Sequence, residues 1–427
     1  MIEKGKNRTK IYVALLMLLL CVGNAHPQSF RERAKKAFKK GQQYFNSQDY
    51  DEAFAEFNKT INLDPTFPDG YCGRGAVYEK RGSFEKAFVD FNKAVELKPD
   101  YAQALFNRGN MYRERNELEL ALKDFSDAIQ CKPKYADAYR NRGVIYTMTD
   151  MPDKGILDFT KAIQIDPHFS EAYYCRGVTY YKMDNFDKAI FDLDRALNGS
   201  YKAADGYVYR GNAYYAKGQY RKALRDYNKA LELDAANWAA YNGRANVYEY
   251  TGHYTQAIED YSRTLQFKPQ RGAAYRGRGL AHGKKGNVDD AISDLSLAIQ
   301  IDPNDHEAYY NRGYGYTQQG KVDQAINDYS RVIEINPKDA RAYNNRGMHY
   351  KERKEYDKAI ADFTKAINLY PIENNHDHLV PYLNRADIYI QQGNYVDAIS
   401  DYNEILKVHP FNIYVNILRI KAYILKK

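Results

Sequence analysis

Residues 68–101 read PDGYCGRGAVYEKRGSFEKAFVDFNKAVELKPDY. Tyr71, Gly75 and Tyr78 fall at i, i+4 and i+7, the spacing of one helix face. Gly82 follows, where a helix end needs positive φ. Phe84, Ala87, Phe88, Phe91 and Ala94 then mark one face of a second helix, and Pro99 stops it. The stretch is an antiparallel helix pair with a short turn. Neither helix can bury its apolar stripe alone, so copies of the unit must stack.

Copies are present. An Arg-Gly pair recurs every 34 residues as Arg74-Gly75, Arg108-Gly109, Arg142-Gly143, Arg176-Gly177 and Arg210-Gly211. It continues as Arg244-Ala245, Arg278-Gly279, Arg312-Gly313 and Arg346-Gly347. A step of 39 gives Arg385-Ala386, a further 34 gives Arg419, and Gly41 lies 34 before Gly75. Small residues recur in phase, as at Gly109 with Ala121 and Gly313 with Ala325, where close helix approach demands them. A fixed period of this length means a stacked-repeat protein.

The pattern Tyr71, Arg74, Gly75, Tyr78, Ala87, Phe91, Pro99 resembles the tetratricopeptide repeat family. Eleven full repeats begin near Ala34, Pro68, Ala102, Ala136, Ser170, Ala204, Trp238, Gly272, His306, Ala340 and Leu379, and a half repeat begins at Ile413. The resemblance implies an all-α fold, a right-handed superhelical solenoid of helix-turn-helix repeats. The expected organisation is a leader over 1–25, a short linker over 26–33, repeats one to ten over 34–373, an insertion over 374–378, repeat eleven over 379–412, and a capping helix over 413–427. Ile413, Ile417, Ile420 and Ile424 of that helix are expected to pack on repeat eleven. Asn198 to Lys202 replaces the usual Asp-Pro turn after repeat five.

One departure from the family pattern is systematic. The apolar residue expected before the glycine is arginine, and an aspartate stands 16 residues later. The pairs are Arg74 and Asp90, Arg108 and Asp124, Arg142 and Asp158, Arg176 and Asp192, Arg210 and Asp226, continuing with Asp260, Asp294, Asp328, Asp362 and Asp401. Arginine favours partly buried sites where its fork meets a carboxylate, so the pairs are expected to form a structural ladder. A charged ligand track is the alternative.

Twenty of the 42 tyrosines hold two recurring core positions. Others do not. In such arrays the first helices line an inner, concave wall that binds peptides or partner segments, as the resemblance implies. One step round from the core stripe lie Tyr174, Val178, Tyr181 and Lys182 in repeat five. Val208, Tyr209, Asn212 and Tyr215 follow in repeat six, and Tyr310 and Tyr314 in repeat nine. Tyrosine offers apolar area with a polar tip, which suits interface anchors; bracing of adjacent repeats is the competing role. A Lys, Asn and Arg clamp for a C-terminal carboxylate, known in the family, is not reproduced: Asn110, Arg140 and Asn141 stand without the recurrent basic residues.

Lys4, Lys6, Arg8 and Lys10 precede an apolar run from Ile11 to Val22, and Gly23-Asn24-Ala25 supplies small residues. This order predicts a signal peptide cleaved after Ala25, with a mature chain from His26. A retained anchor and lipid attachment at Cys21 are the alternatives. Formal charge is +8, with basic and acidic residues interleaved, which argues against nucleic acid as a partner. Cys72, Cys131 and Cys175 lie in different repeats, so no disulfide framework is expected. His376-Asp377-His378 is read as a polar loop, and no metal or cofactor is expected. No P-loop, GxSxG, HExxH or CxxC occurs, and repeats fill the chain, so no enzyme is expected. The sequence reading is an exported scaffold that binds proteins or peptides on its concave face. The alternative is a structural subunit of an envelope assembly or secretion complex, docking through its convex face or C-terminal tail.

Overall fold

The computed structural model describes residues 27–369 and 379–426, so the leader, the insertion and its His376-Asp377-His378 lie outside the described residues. Among the described residues there are 23 helices and no strand. They form two compact units, divided after Lys202, next to the stretch where the Asp-Pro turn is lost. The first unit holds α1 (Pro27–Asn46), α2 (Tyr50–Leu63), α3 (Pro68–Lys80), α4 (Phe84–Leu97), α5 (Ala102–Glu114), α6 (Leu118–Cys131), α7 (Ala136–Met148), α8 (Pro152–Ile165), α9 (Ser170–Lys182) and α10 (Phe186–Asn198). The second holds α11 (Ala204–Ala216), α12 (Tyr220–Leu233), α13 (Trp238–Tyr250), α14 (Tyr254–Phe267), α15 (Gly272–Lys285), α16 (Val288–Ile301), α17 (His306–Gln318), α18 (Val322–Ile335), α19 (Ala340–Glu352), α20 (Tyr356–Leu369), α21 (Leu379–Gln391), α22 (Tyr395–Val408) and α23 (Ile413–Lys426). In each unit every odd-numbered helix up to α21 packs with the next to make a repeat, and successive repeats stack.

Two expectations need correction. Residues 27–33 are not a linker but the first turns of α1, which opens on Pro27, a residue whose missing N–H costs nothing at a helix start. The helix runs upstream of its buried face: Ala34 and Ala37 are buried, whereas Phe30, one turn before Ala34, is exposed. The isoleucine stripe of α23 does not pack on repeat eleven. Val415 and Ala422 do, with Leu418 beside them, because they occupy the face by which each first helix meets the preceding repeat. Ile413, Ile417, Ile420 and Ile424 are 76%, 47%, 56% and 67% exposed.

Within a repeat the two helices lock through an aromatic or leucine side chain set against glycine. A Cβ on Gly75 would lie 2.7 Å from the Phe91 ring. Tyr227 is held from two sides, since a Cβ on Gly211 or Gly243 would lie 2.8 Å or 2.5 Å from its ring. Its hydroxyl donates to Asn212 Oδ1 at 2.8 Å, so burial leaves no orphan polar atom there.

The arginines close the second lock. In ten repeats Nε and Nη2 donate in parallel to the two oxygens of the aspartate on the second helix, at 2.6–3.0 Å. Within a unit the third nitrogen, Nη1, reaches back to the preceding repeat. It donates to Asn58 from Arg74, Ser126 from Arg142, Thr160 from Arg176 and Ser262 from Arg278, at 2.8–3.1 Å. Tyrosines one turn either side cover the guanidinium, as Tyr71 and Tyr78 do at 5.6 Å and 6.0 Å from Arg74. All ten aspartates are buried. Hydrogen bonding to Asp90 holds the Arg74 guanidinium above its ordinary pKa, whereas burial pushes Asp328 and Asp401 up against the pull of Arg312 and Arg385.

Desolvation offsets much of the Coulomb gain in such a pair, so its presence adds little net stability. Its loss is another matter. Asp226→Leu strands the Arg210 guanidinium, and is expected to cost about 3 kcal/mol and lower the thermal midpoint without weakening a bound peptide. An unchanged midpoint would show that the pairs are not structural. Gly243→Ala drives a methyl into the Tyr227 ring and is expected to cost about 2 kcal/mol by denaturant titration.

Candidate interaction site

First helices carry the residues read as a binding wall, and the structure sorts them. In the first unit Tyr174 stacks on Tyr201, with ring centres 4.2 Å apart and planes 19° from parallel. Tyr181 leans on Phe186 at 6.0 Å. Val178 is half-buried and Lys182 exposed. These two tyrosines are therefore braced within their unit. Beside them on the same wall, Asn141 Nδ2 donates to Asn110 Oδ1 at 2.6 Å, and the Arg140 guanidinium lies 5.8 Å from the Phe169 ring.

In the second unit Val208 is not a surface residue. It is 5% exposed and packs with Ala230 and Ala240, so it belongs to the core; the small partners leave room for its branched side chain. Asn212 is committed to the Tyr227 hydroxyl. Tyr209 is half-buried, and burial raises its phenol above the ordinary range, with Asp205 adding to the effect. Tyr215 joins Tyr220 at 5.8 Å, and Tyr220 joins the exposed Tyr250 at 4.8 Å, forming a small aromatic patch.

Tyr310 and Tyr314 meet in a recess of about 410 Å³ between α15 and α17. Gly279, Leu280, Gly283 and Lys284 of α15 form one side; Asn311, Gly315 and Gln318 join the tyrosines on the other. Val288, Ala291 and Leu295 of α16 form the floor. The recess exists because side chains are missing. Where α15 has Gly283, the matching positions hold Glu79, Arg113, Thr147, Tyr181, Tyr215 and Glu249. Where α17 has Gly315, several of the matching positions hold larger side chains, among them Val77, Met111, Ile145, Thr179 and Val247, but there Ile292 takes up the space, since a Cβ on Gly315 would lie 3.0 Å from its Cγ1.

The walls are fixed by their neighbours. Tyr310 lies under the Arg341 guanidinium at 4.4 Å, and its hydroxyl accepts from Asn345 Nδ2 at 3.1 Å. Arg341 is itself anchored to Glu307 at 2.6 Å and Asp339 at 2.7 Å. Glu307 and Asp339 lie with His306 in a group whose ligand atoms fall within 4.8 Å, but Arg341 already neutralises both carboxylates, so the group reads as an ion-pair cluster. Tyr314, 53% exposed, and Lys284 stand at the mouth. An apolar floor with a phenol rim and one ammonium can hold a bulky apolar side chain and steer a nearby carboxylate.

Leu280, Gly283, Lys284 and Gly315 escape a reading based on added tyrosines. Aligning the repeats on Arg-Gly exposes Gly283 and Gly315 as positions where bulk is lost. Cys72, Cys131 and Cys175 are free thiols, and burial pushes Cys72 up to about 12, which leaves it unreactive at neutral pH. No helix among the described residues is long and apolar enough to cross a membrane.

A stack of helix pairs with a recess between successive first helices defines a helical-repeat protein, a fold compatible with protein–protein interaction. Family models agree. Those for the TPR repeat match residues 41–82, 109–149, 211–252 and 313–352, and others for the tetratricopeptide repeat match 68–101, 170–198, 242–306 and 338–410. The chain belongs to the tetratricopeptide repeat family. Similar solved structures include the Cut9–Hcn1 hetero-tetramer of the APC/C, at 15% identity over 95% of this chain and 98% of that one, with a TM-score of 0.48. YrrB, titled a TPR protein with an unusual peptide-binding site, matches at 28% identity over 44% of this chain and 95% of its own, with a TM-score of 0.39. Yeast Tom70 matches at 17% identity over 92% and 95%, also at 0.39. No curated protein matches.

The recess makes a direct prediction. An added Cβ at Gly283 meets only the Ala291 Cβ, at 3.7 Å, and the backbone there is helical. Gly283→Ala is therefore expected to stabilise the protein by about 0.5 kcal/mol, read by chemical denaturation, because alanine loses less chain entropy in a helix. Destabilisation would mean that the recess is tighter than its lining indicates.

Proposed function

We propose that this protein is an exported, non-enzymatic scaffold that gathers partner proteins or peptides on the inner, concave wall of its first helices. Tetratricopeptide folds bind such partners. The observation that carries the reading for this chain is the recess in which Tyr310, Tyr314 and Leu280 surround an apolar floor. It takes one anchoring side chain of an extended or helical peptide, and Lys284 selects a sequence with an acidic residue close to that anchor. Export rests on the basic, apolar and small-residue order of the leader.

A random peptide library selected on the full chain tests the binding claim. Selected peptides are expected to share one bulky apolar residue. They should lose about tenfold or more in affinity to Gly283→Leu, which fills the recess, and to Tyr314→Ala, which opens its rim. Selected peptides that bind both variants and wild type alike would contradict the assignment. For export, N-terminal sequencing of protein recovered from its native source is expected to begin at His26; a chain beginning at Met1 would refute cleavage.

A further inference from the structure

The most exposed apolar surface lies elsewhere, on α23 and the turn that leads into it. Besides the four isoleucines, Phe411, Tyr414, Tyr423 and Leu425 are 93%, 64%, 47% and 54% exposed. Isolated exposed apolar residues are ordinary; eight within fifteen consecutive residues are a patch.

We infer that the outward face of α23 docks an amphipathic helix of a partner protein whose apolar seam is flanked by acidic residues. Three observations carry this. The first is spacing. Ile413, Ile417, Ile420 and Ile424 follow one another at intervals of 4, 3 and 4, the a and d positions of a heptad seam. Val415 and Ala422, buried on repeat eleven, fall at the f position opposite that seam, so both faces are in use or available at once.

The second is what the seam lacks. Eleven first helices carry glycine or alanine at the position of Gly75, from Gly41 to Ala386, and this lets their second helix approach closely. Ile420 occupies that position in α23. An incoming helix is held at the wider separation of knobs-into-holes packing, not at that of a repeat's own second helix. Arg419, at the ladder position, is likewise occupied differently: it donates to Asn403 at 2.9 Å and Asn416 at 3.0 Å.

The third is charge. Residues 413–427 contain Arg419, Lys421, Lys426 and Lys427 and no acidic residue. Lys421 is exposed and flanks the seam next to Ile420. A second copy of α23 would bring like charges together with nothing to pair them. A helix with a glutamate beside its seam gains a pair with Lys421. The inference is independent of the recess in α15 and α17.

The test uses the full chain and two fluorescein-labelled synthetic peptides of three heptads. Both have leucine at a and d; one has glutamate at the flanking e and g positions, the other lysine. Anisotropy is expected to show binding of the glutamate peptide, weakened about tenfold or more by the lysine exchange and by raising salt. The double variant Ile417→Asp with Ile420→Asp, both exposed residues, should keep the wild-type melting midpoint and lose the binding. Equal binding of the two peptides, or equal binding by the double variant, would overturn the inference. So would a wild-type dimer in sedimentation equilibrium that the double variant dissolves, which would assign the face to a second copy. So too would sedimentation with phosphatidylserine vesicles, lost in the double variant, in the absence of peptide binding; that would assign it to a membrane surface.

Discussion

A guanidinium held between two helices of one repeat and the last helix of the repeat before is the constraint on which this fold depends. Each arginine commits two nitrogens to a buried aspartate sixteen residues on, and the third can reach the helix behind it, as Arg74 does with Asp90 and Asn58. A flat fork with fixed angles tolerates only one relative placement of three helices. Energy alone is a poor explanation for keeping it, since a buried ion pair is often matched by apolar residues of the same volume. Register is a better one. A slipped helix would leave a carboxylate and a guanidinium stranded in the interior, and few alternatives cost more.

That fixed register explains where variation is allowed. Glycine against the Phe91, Tyr227 or Phe363 ring, and arginine against aspartate, hold the inner side of each helix pair. The wall of first helices can then differ from repeat to repeat without loss of the stack. Tyr174, Tyr215 and Tyr314 fill it with aromatic area, while Gly283 empties it beside Tyr314. The recess beneath Tyr314 is tolerated because the surrounding locks do not rely on the missing side chains.

Much of this is legible in the sequence, for a physical reason. Helix period, turn glycines and the sixteen-residue Arg–Asp spacing are local or nearly local signals, and each copy of the repeat restates them. Even the turns without glycine follow the pattern, with Asn116, Asp150 and Asp184 taking positive φ. The failures lie where a position has more than one neighbouring face. Val208 looks like a wall residue by helical phase, yet the next repeat covers it. The isoleucines of α23 look like core by hydrophobicity, yet among the described residues no helix covers the face they occupy, and Val415 and Ala422 carry the packing. The recess is hidden for a different reason: it is defined by side chains that are absent, which no search for reactive or aromatic residues detects.

The most direct measurement is a double-mutant cycle on Arg312 and Asp328, with each residue changed alone to methionine or leucine and then both together. If the pair sets the register of the stack, either single change should cost about 3 kcal/mol, and the double should cost only about 1 kcal/mol, giving a coupling of about 5 kcal/mol. Additive losses, with coupling near zero, would mean that the helices find their places without the arginine, and that the ladder follows from the stack instead of fixing it.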